Sequence, residues 1–255
     1  MDGNKDAGKY TLQSVDKALK VLDLFYGRQE LGPGDVAALM GMNRSTAFRF
    51  LTTFEENGYL IKTEQGRYRL GMKLFSLGQL AYSHTELISY ARPQLIRLAE
   101  LCGETSHLVV MDGGTSVIFL DKGVPQSPLH MDVEIGRRYA AHHTATGKAI
   151  LAFQPRTAVE QYLRTAEFAR LTDSTLCSPE ALLDALRTIR TQGWSADREE
   201  CIPGLTCFAA PVRDRSGRAV AAISVSGPTT RMLANEETNR TRVQAAAAQI
   251  SRLLQ

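Results

Sequence analysis

The chain has 255 residues, 44% of them hydrophobic and 22% charged, which is typical of a globular protein with one large domain or two ordinary ones. Its formal net charge of +3 is too small to indicate a partner, and its four cysteines form no C-x-x-C pair, which argues against a zinc ribbon or a thioredoxin-type redox centre. No segment approaches the roughly 20 apolar residues of a membrane-spanning helix, and residues 1–10 lack the apolar segment of a secretory signal. We therefore expect a cytoplasmic protein that does not bind membranes.

The beginning of the chain predicts a tail followed by one helix. Residues 1–10 are polar and offer nothing to bury, so we expect a disordered tail. Ser14 is a favourable N-cap, and the apolar residues after it recur at steps of three and four, which is the spacing of one helix face. The pattern predicts a first helix that starts at Ser14 and ends at Gly27.

A short helix, a break and a longer helix come next. The pattern predicts a helix over 35–40, a break at the following Gly-Met pair, and a helix over 43–57 that Asn43 caps. Two helices joined by a tight turn form a helix-turn-helix. Apolar and polar residues then alternate on both sides of Gly66, which predicts a two-stranded hairpin. Together these elements predict a winged helix-turn-helix domain over residues 11–72.

The remainder predicts a linker helix and an α+β domain. Helical periodicity predicts a linker helix over 73–90 and then the first helix of a domain over 91–255, with a kink or restart at Pro93. Hairpin-joined strands with helices around them predict a mainly antiparallel sheet flanked by helices. The predicted strands are 106–112, 115–123, 129–136, 206–214 and 219–227, and the predicted later helices are 144–154, 179–192 and 231–254.

The start of the helix over 43–57 has the side chains of a DNA-reading helix. Short polar and long basic residues occupy its first turns, where a helix in the major groove meets base edges and phosphates. Residues 43–73 carry six basic and three acidic groups, and two of the acids lie at the far end of the helix. The residues assigned to DNA contact are Asn43, Arg44, Ser45, Thr46 and Arg49 in the helix, and Lys62, Arg67 and Arg69 in the hairpin.

Four stretches of the sequence resemble the IclR family of bacterial transcriptional regulators. They are QSVDKALKVLDLF, GMNRSTAFRFLTTFEENGYL with YRLG, IGRRYAAHHTATGKAILAF, and GWSADREECIPGLTCFAAPVRDRSGRAVAAISVSGP. The resemblance runs through both predicted domains. It implies a winged helix-turn-helix, a linker helix and a GAF-like C-terminal domain that binds a small effector. It also implies binding to double-stranded DNA at palindromic operators by homodimers, which often pair into homotetramers.

The resemblance further implies the position of the effector pocket. The family often has a smaller residue at the position of Thr146, so this side chain is expected to narrow the pocket or to add a hydroxyl group. The implied effector-binding groups are the backbone amides of Ala145 and Thr146 and the side chains of Asp197, Cys207, Ser224 and Ser226.

The chemistry of these residues favours an organic acid as the effector. The helix that begins near Thr144 offers unpaired N–H groups, which can hold a carboxylate without a basic side chain. Ser224 and Ser226 are two apart on a predicted strand, so both hydroxyls point to one side. Asp197 beside an anion requires a ligand hydroxyl, a water or its own proton. We therefore expect a hydroxy acid, a keto-acid hydrate or a phenolic acid.

Three alternative functions have some support in the sequence. His142 and His143 suggest a metal, but adjacent side chains are expected to point apart and no third ligand has suitable spacing. A hydrolase could use Cys207 with one of these histidines and Asp197, which predicts a lowered thiol pKa. A winged helix can also serve as a protein-interaction adaptor, whose binding would lack the steep salt dependence of DNA binding. We predict no enzyme activity, no metal and no cofactor. A nucleotide is not implied, because the Gly-Lys at 147–148 lacks the leading glycine of a P-loop.

Overall fold

The computed structural model describes residues 11–83, 86–128 and 130–254, with the side chains of 81–83 excepted. The predicted disordered tail over 1–10 lies outside the described residues. The chain divides near residue 84 into two compact units, which we describe separately. Within the described residues, no helix has the length and apolar character that crossing a membrane requires.

The first unit is a winged helix-turn-helix. Its apolar core includes Val21, Val36, Ala47, Leu51 and Tyr68, which come from every helix of the motif and from the hairpin. The elements are α1 (Gln13–Asp23), α2 (Pro33–Met40), α3 (Arg44–Glu56), β1 (Leu60–Lys62), β2 (Tyr68–Leu70) and α4 (Met72–Ser83), with β1 and β2 antiparallel.

The first helix differs from its predicted bounds at both ends. Leu12, in an extended conformation, takes the N-cap position without a side-chain hydrogen bond, so Ser14 lies inside the first turn and does not cap the helix. The helix ends at Asp23 because the following amides bond to carbonyls three residues back, which closes turns as far as Gly27 instead of further helix.

The turn and the third helix follow their sequence signals. Gly41 adopts a φ of 62°, a left-handed conformation that glycine adopts without strain, and it ends α2. Asn43 then caps α3 by accepting a hydrogen bond from the amide of Thr46 at 2.7 Å. The predicted break and the predicted cap are both confirmed.

The second unit contains a six-stranded antiparallel sheet in the order β5-β4-β3-β8-β7-β6. This confirms the α+β prediction. Its elements are α5 (Glu86–Cys102), β3 (Thr105–Asp112), β4 (Ser116–Gly123), β5 (Arg138–Ala140), a 3-10 turn (Ala141–His143), α6 (Ala145–Leu151), α7 (Arg156–Thr165), α8 (Pro179–Gln192), β6 (Ser195–Arg198), β7 (Leu205–Arg213), β8 (Ala219–Pro228), α9 (Thr229–Ala234) and α10 (Glu236–Leu253).

The two faces of the sheet carry different helices. Ser106 in β3 donates a hydrogen bond to the carbonyl of Leu95 in α5, at 2.7 Å, so this side chain points toward α5. Because side chains alternate along a strand, its neighbour His107 points to the opposite face. That face packs against α6, whose Ala145, Ala149 and Ile150 share a core with Val109 and Ala209 of the sheet.

The segment over 129–136 is not the predicted strand. The carbonyl of Met131 accepts a hydrogen bond from the Thr105 hydroxyl at 2.5 Å, and that of Val133 accepts one from the Lys122 ammonium at 3.2 Å. Side chains of β3 and β4 therefore take carbonyls that a strand would use in a ladder, and the described residues 130–137 form a covering segment.

Five smaller elements also differ from the predictions. The strands β5 and β6 and the helix α7 were not predicted, because β5 and β6 have only three and four residues and lack β-branched side chains. The predicted helix over 231–254 is divided at Asn235 into α9 and α10. Helix α5 continues through Pro93, so no restart occurs there.

Candidate functional site

The start of α3 presents two cations to solvent. Arg44 and Arg49 are exposed, and neither guanidinium has a hydrogen bond or ion pair with the described part of the chain. The first turn of α3 contains no acidic residue. Because the amino terminus of a helix also carries partial positive charge, this end attracts anions such as phosphates.

The other polar residues at the start of α3 are partly engaged in its cap. Asn43 Oδ1 accepts hydrogen bonds from the amide of Thr46 at 2.7 Å and from the hydroxyl of Ser45 at 2.8 Å. These bonds fix the beginning of the helix. The side-chain NH2 of Asn43 keeps its donors for another partner.

The three predicted hairpin cations have different surroundings. Lys62 and Arg69 are exposed, and the Lys62 ammonium lies 6.0 Å from the centre of the Phe48 ring in α3. Arg67 instead donates to Asp35 Oδ2 at 2.8 Å and to the carbonyl of Glu30 at 3.1 Å. Arg67 therefore links the hairpin to α2, which leaves less of its hydrogen-bonding capacity for DNA.

The six effector-binding residues implied by the resemblance line one cavity in the second unit. The cavity lies between the start of α6 and the sheet. Its volume is about 40 Å³, which is room for only a few water molecules. The lining residues are Ala145, Thr146, Asp197, Cys207, Ser224 and Ser226, together with Thr144 and Cys201 and the apolar side chains of Phe119, Met131, Val133, Tyr139, Ile202 and Leu205.

The register of the sheet gathers the polar residues of the cavity. Asp197 in β6 is opposite Cys207 in β7, Cys207 is opposite Ser226 in β8, and Ser226 is opposite Thr105 in β3. Opposed residues of antiparallel strands point to the same side of the sheet. Four strands thus deliver one row of polar side chains to the cavity face.

The start of α6 supplies the opposite wall of the cavity. Thr144 caps the helix by accepting a hydrogen bond from the amide of Gly147 at 3.0 Å, and it also accepts one from the Thr146 hydroxyl at 3.3 Å. The amides of Ala145 and Thr146 make no hydrogen bond within the described residues. They remain available to an acceptor in the cavity.

Asp197 is a buried carboxyl group in this cavity, and its side chain is only 2% exposed. Its Oδ1 accepts hydrogen bonds from the amides of Glu200 at 2.7 Å and Cys201 at 3.4 Å. Burial raises the pKa of Asp197 to about 7, although Lys148 acts in the opposite direction. Near neutral pH, Asp197 can therefore carry a proton and donate a hydrogen bond, which is one of the three ways in which this carboxyl can lie beside an anion.

A buried ion pair stands next to Asp197. Lys148 in α6 pairs with Glu200, and their side chains are 3% and 13% exposed. Glu200 follows Glu199, a non-glycine residue with a left-handed φ of 62°. Hydrogen bonds from Thr172 and Thr175 to the carbonyls of the Glu199–Glu200 segment hold it in place.

His107 is a residue of this region that the sequence analysis missed. It is fully buried in β3 opposite Ser224, and its ring packs edge to face on Phe119 with centres 5.1 Å apart. Neither ring nitrogen has a hydrogen-bond partner among the described residues. Burial lowers the pKa of His107 to about 3, so the ring is neutral. The sequence carried no signal for it, because a lone histidine in a strand is ordinary.

The hydrolase alternative is wrong in its central requirement. Burial raises the pKa of the Cys207 thiol well above its usual range, and nearby Asp197 adds to the effect, whereas a nucleophile needs a lowered pKa. The two histidines are engaged elsewhere. Nδ1 of His142 lies 2.6 Å from the Tyr162 hydroxyl, and Nε2 of His143 lies 3.1 Å from the carbonyl of Ala169.

The rings of His142 and His143 do not point apart as expected. Their centres are 3.9 Å apart in a tilted stack. Within the residues that the structure describes, no group of three or more His, Cys, Asp or Glu side chains could hold a metal ion.

A larger surface groove of about 530 Å³ lies elsewhere in the second unit, beside α10 and the β7–β8 hairpin. Arg213, Arg215 and Arg252 line it, and all three are exposed. It lacks the buried, converging polar groups of the smaller cavity. The cavity at α6 is therefore the candidate effector site.

Comparison with known proteins gives a consistent result for both units. The family model described as the C-terminal domain of the bacterial transcriptional regulator IclR matches residues 79–252, and the IclR helix-turn-helix model matches residues 14–64. The chain is similar to the HTH-type transcriptional regulator KdgR of Escherichia coli K12, with 38% identity over 222 residues covering 87% of this chain and 84% of that one. It is also similar to the HTH-type transcriptional regulator XynR of the same organism, with 36% identity over 246 residues covering 95% and 97% of the two chains.

A solved structure agrees with the fold. An IclR homologue from Microbacterium hydrocarbonoxydans, complexed with 4-hydroxybenzoate, matches 94% of this chain and 98% of its own with a TM-score of 0.81. Its sequence identity of 24% supports likeness of fold alone.

Proposed function

Because this chain belongs to the IclR family of bacterial transcriptional regulators, we propose that it binds a palindromic operator through α3 and the hairpin, and that a small carboxylic acid controls this binding from the cavity at α6. Members of this family are DNA-binding regulators with a C-terminal domain that binds an effector. The operator, the acid and the contact residues are our proposal. We place its action in the bacterial cytoplasm, where the operator would lie.

The effector proposal rests on one observation: the six residues that the family resemblance assigns to effector binding all line one cavity. The amides of Ala145 and Thr146 offer donors to a carboxylate, and no basic side chain is among the residues that line the cavity. On the facing wall, Ser224, Ser226 and a protonated Asp197 suit a hydroxyl or carbonyl of the same ligand. With a volume of about 40 Å³, the cavity favours the smallest acids, and an aromatic acid would require lining side chains such as Phe119 or Met131 to move further.

For DNA, we propose that α3 enters the major groove with Arg44 and Arg49 on phosphates or base edges and with Lys62 and Arg69 along the flanking backbone. A palindromic site requires two reading helices related by two-fold symmetry. We therefore propose a homodimer or a homotetramer as the active form. The acid would act by favouring one of two arrangements of the reading helices.

A thermal-shift panel of matched small molecules tests the effector proposal. It should contain short hydroxy and keto acids, 4-hydroxybenzoate, their counterparts without the hydroxyl, and the amide of each acid. We expect an acid to raise the melting temperature, its amide to have little effect, and Asp197→Ala and Ser224→Ala to reduce the shift. If amides and acids shift the protein equally, the carboxylate assignment is wrong.

A further inference from the structure

We propose that Phe48 is a base-reading residue of α3 that contacts the 5-methyl group of a thymine in the operator. The proposal rests on the proposed function, since it requires that α3 enter the major groove. It adds a sequence-reading contact that neither the resemblance nor the basic pattern implied.

The first observation is the exposure of the ring. Phe48 is 46% exposed, and within α3 it is the one large apolar side chain in that state. The other two phenylalanines of the helix, Phe50 and Phe54, are half-buried against the core of the first unit. Exposing an aromatic ring in the middle of a polar helix face forgoes the free energy that burial would provide.

The second observation is what surrounds the ring. Arg44 and Ser45 precede Phe48 by four and three residues, so all three lie on one side of α3, and Arg49 is adjacent. The Lys62 ammonium lies 6.0 Å from the centre of the ring. An apolar contact point within a cationic surface matches a surface that is anionic overall but has isolated apolar groups.

The major groove of DNA has this character. Its walls are phosphates, and the methyl of thymine is the apolar group that it presents at the base edges. The position of Phe48, on the second turn beside two arginines that have no partner among the described residues, is where a groove-bound helix meets those edges. We therefore commit to thymine as the occupant, instead of a second copy of the chain or another protein.

The test couples one protein side chain to one DNA methyl group. A high-affinity operator is first selected from a random duplex library with the full-length wild-type protein. Each thymine is then replaced singly by uracil, which removes only the methyl. Kd is measured at one salt concentration by fluorescence anisotropy for wild type, Phe48→Ala and Phe48→Tyr. The melting temperature of each variant confirms that it folds.

At one thymine and its symmetry mate, we expect replacement by uracil to weaken wild-type binding about fourfold, because the burial of one methyl group is lost. At the same position, the replacement should not affect binding of Phe48→Ala. Phe48→Tyr should keep the wild-type sensitivity. All other thymines serve as internal controls, because their replacement should act alike on the three proteins.

Three results would overturn the inference. If uracil weakens binding of wild type and Phe48→Ala equally at every thymine, or if Phe48→Ala binds the operator like wild type, the ring does not contact a methyl. If Phe48→Ala instead changes the oligomeric state by sedimentation, the ring belongs to a contact between copies. Failure of the library to enrich any sequence would reject the DNA-binding proposal itself, which distinguishes that failure from the first two.

Discussion

The two candidate sites of this molecule differ in where their charges lie: at the start of α3 they are exposed to solvent, and beside the cavity at α6 they are buried. The reading surface of α3 leaves Arg44 and Arg49 exposed and without partners in the described chain, so its charge is available to an external polyanion. Beside the cavity at α6, Lys148 and Glu200 are buried as an ion pair next to Asp197, so these charges are largely balanced within the protein. The first site should respond to salt, whereas the second should respond to pH and to loss of a partner.

The difference shows in what a mutation removes. Deleting an exposed cation removes an interaction with DNA and leaves the fold intact. Deleting a buried charge leaves its partner desolvated and unpaired, so the cost falls on the fold itself.

Lys148→Met should lower the free energy of unfolding of the second unit by about 3–5 kcal/mol, because Glu200 would remain buried without its partner. Denaturant unfolding followed by Trp194 fluorescence measures this, since the chain has one tryptophan and it lies in that unit. The double variant Lys148→Met/Glu200→Gln should recover most of the loss.

A matched control is the exposed pair of Arg156 and Glu160, whose side chains are 92% and 43% exposed. Arg156→Met should cost less than about 0.5 kcal/mol. Equal costs for the buried and the exposed pair would remove the contrast between the two sites.

The double variant Arg44→Ala/Arg49→Ala should weaken operator binding roughly 100-fold or more and reduce the salt dependence of log Kd by about two for each reading helix. Titration at several salt concentrations measures both quantities, and the melting temperature should stay unchanged. Arg67→Ala is the control variant, because the Arg67 guanidinium binds Asp35 and the carbonyl of Glu30 within the protein. Arg67→Ala should lower the stability of the first unit and change the salt dependence of DNA binding less than the double variant does.

If the double variant leaves the salt dependence of DNA binding unaltered, α3 does not contact the phosphates.

Sequence reasoning was most successful where structure is set locally. The cap at Asn43, the glycine at position 41 and the helical spacing of apolar residues on either side of this turn are short-range signals. They were sufficient to predict the helix-turn-helix. It failed where distant residues decide. The segment over 129–136 alternates like a strand, but the side chains of Thr105 and Lys122 take its carbonyls. The local sequence of this segment does not reveal that these two distant side chains take its carbonyls.

The candidate site shows the same division. The exposed cations of α3 follow from periodicity alone, whereas Asp197, Cys207 and Ser226 meet only because three strands align in one register. The resemblance to a family supplied these positions, and local pattern could not. His107 and Phe48 escaped both routes, because a histidine in a strand and a phenylalanine in a helix carry no special signal until their burial or exposure is known.

Binding of the acid should become weaker as pH rises above about 7, by roughly tenfold for each pH unit, because an anionic ligand favours protonated Asp197. Lys148, Glu200, Cys201 and Cys207 are the other charged or titratable groups that face this carboxyl. Calorimetry in buffers of different ionisation enthalpy should detect proton uptake at pH 8. Asp197→Asn, which cannot ionise, should bind with little dependence on pH. If wild type and Asp197→Asn share one pH profile, Asp197 does not carry the proton.

The variant His107→Phe should be slightly more stable than wild type. The ring is fully buried on Phe119 and neither nitrogen has a partner in the described residues, so an apolar ring of similar shape should raise the free energy of unfolding by about 1 kcal/mol at pH 7. Because the folded-state pKa is lowered to about 3, the unfolded chain binds the extra proton below about pH 6.5. Stability of wild type should therefore fall as pH drops from 6.5 toward 3, and the advantage of phenylalanine should widen over that range.

Lys122 and Asp132 are the charged groups nearest this ring, and both remain in the variant. Thermal unfolding at pH 7 and pH 5 measures the difference, and His107→Ala is the control for packing, since it should lower stability by leaving a cavity. A loss of stability in His107→Phe would show that the imidazole nitrogens make bonds that the fold needs. A gain would show that the fold keeps this buried polar ring at a cost to its stability.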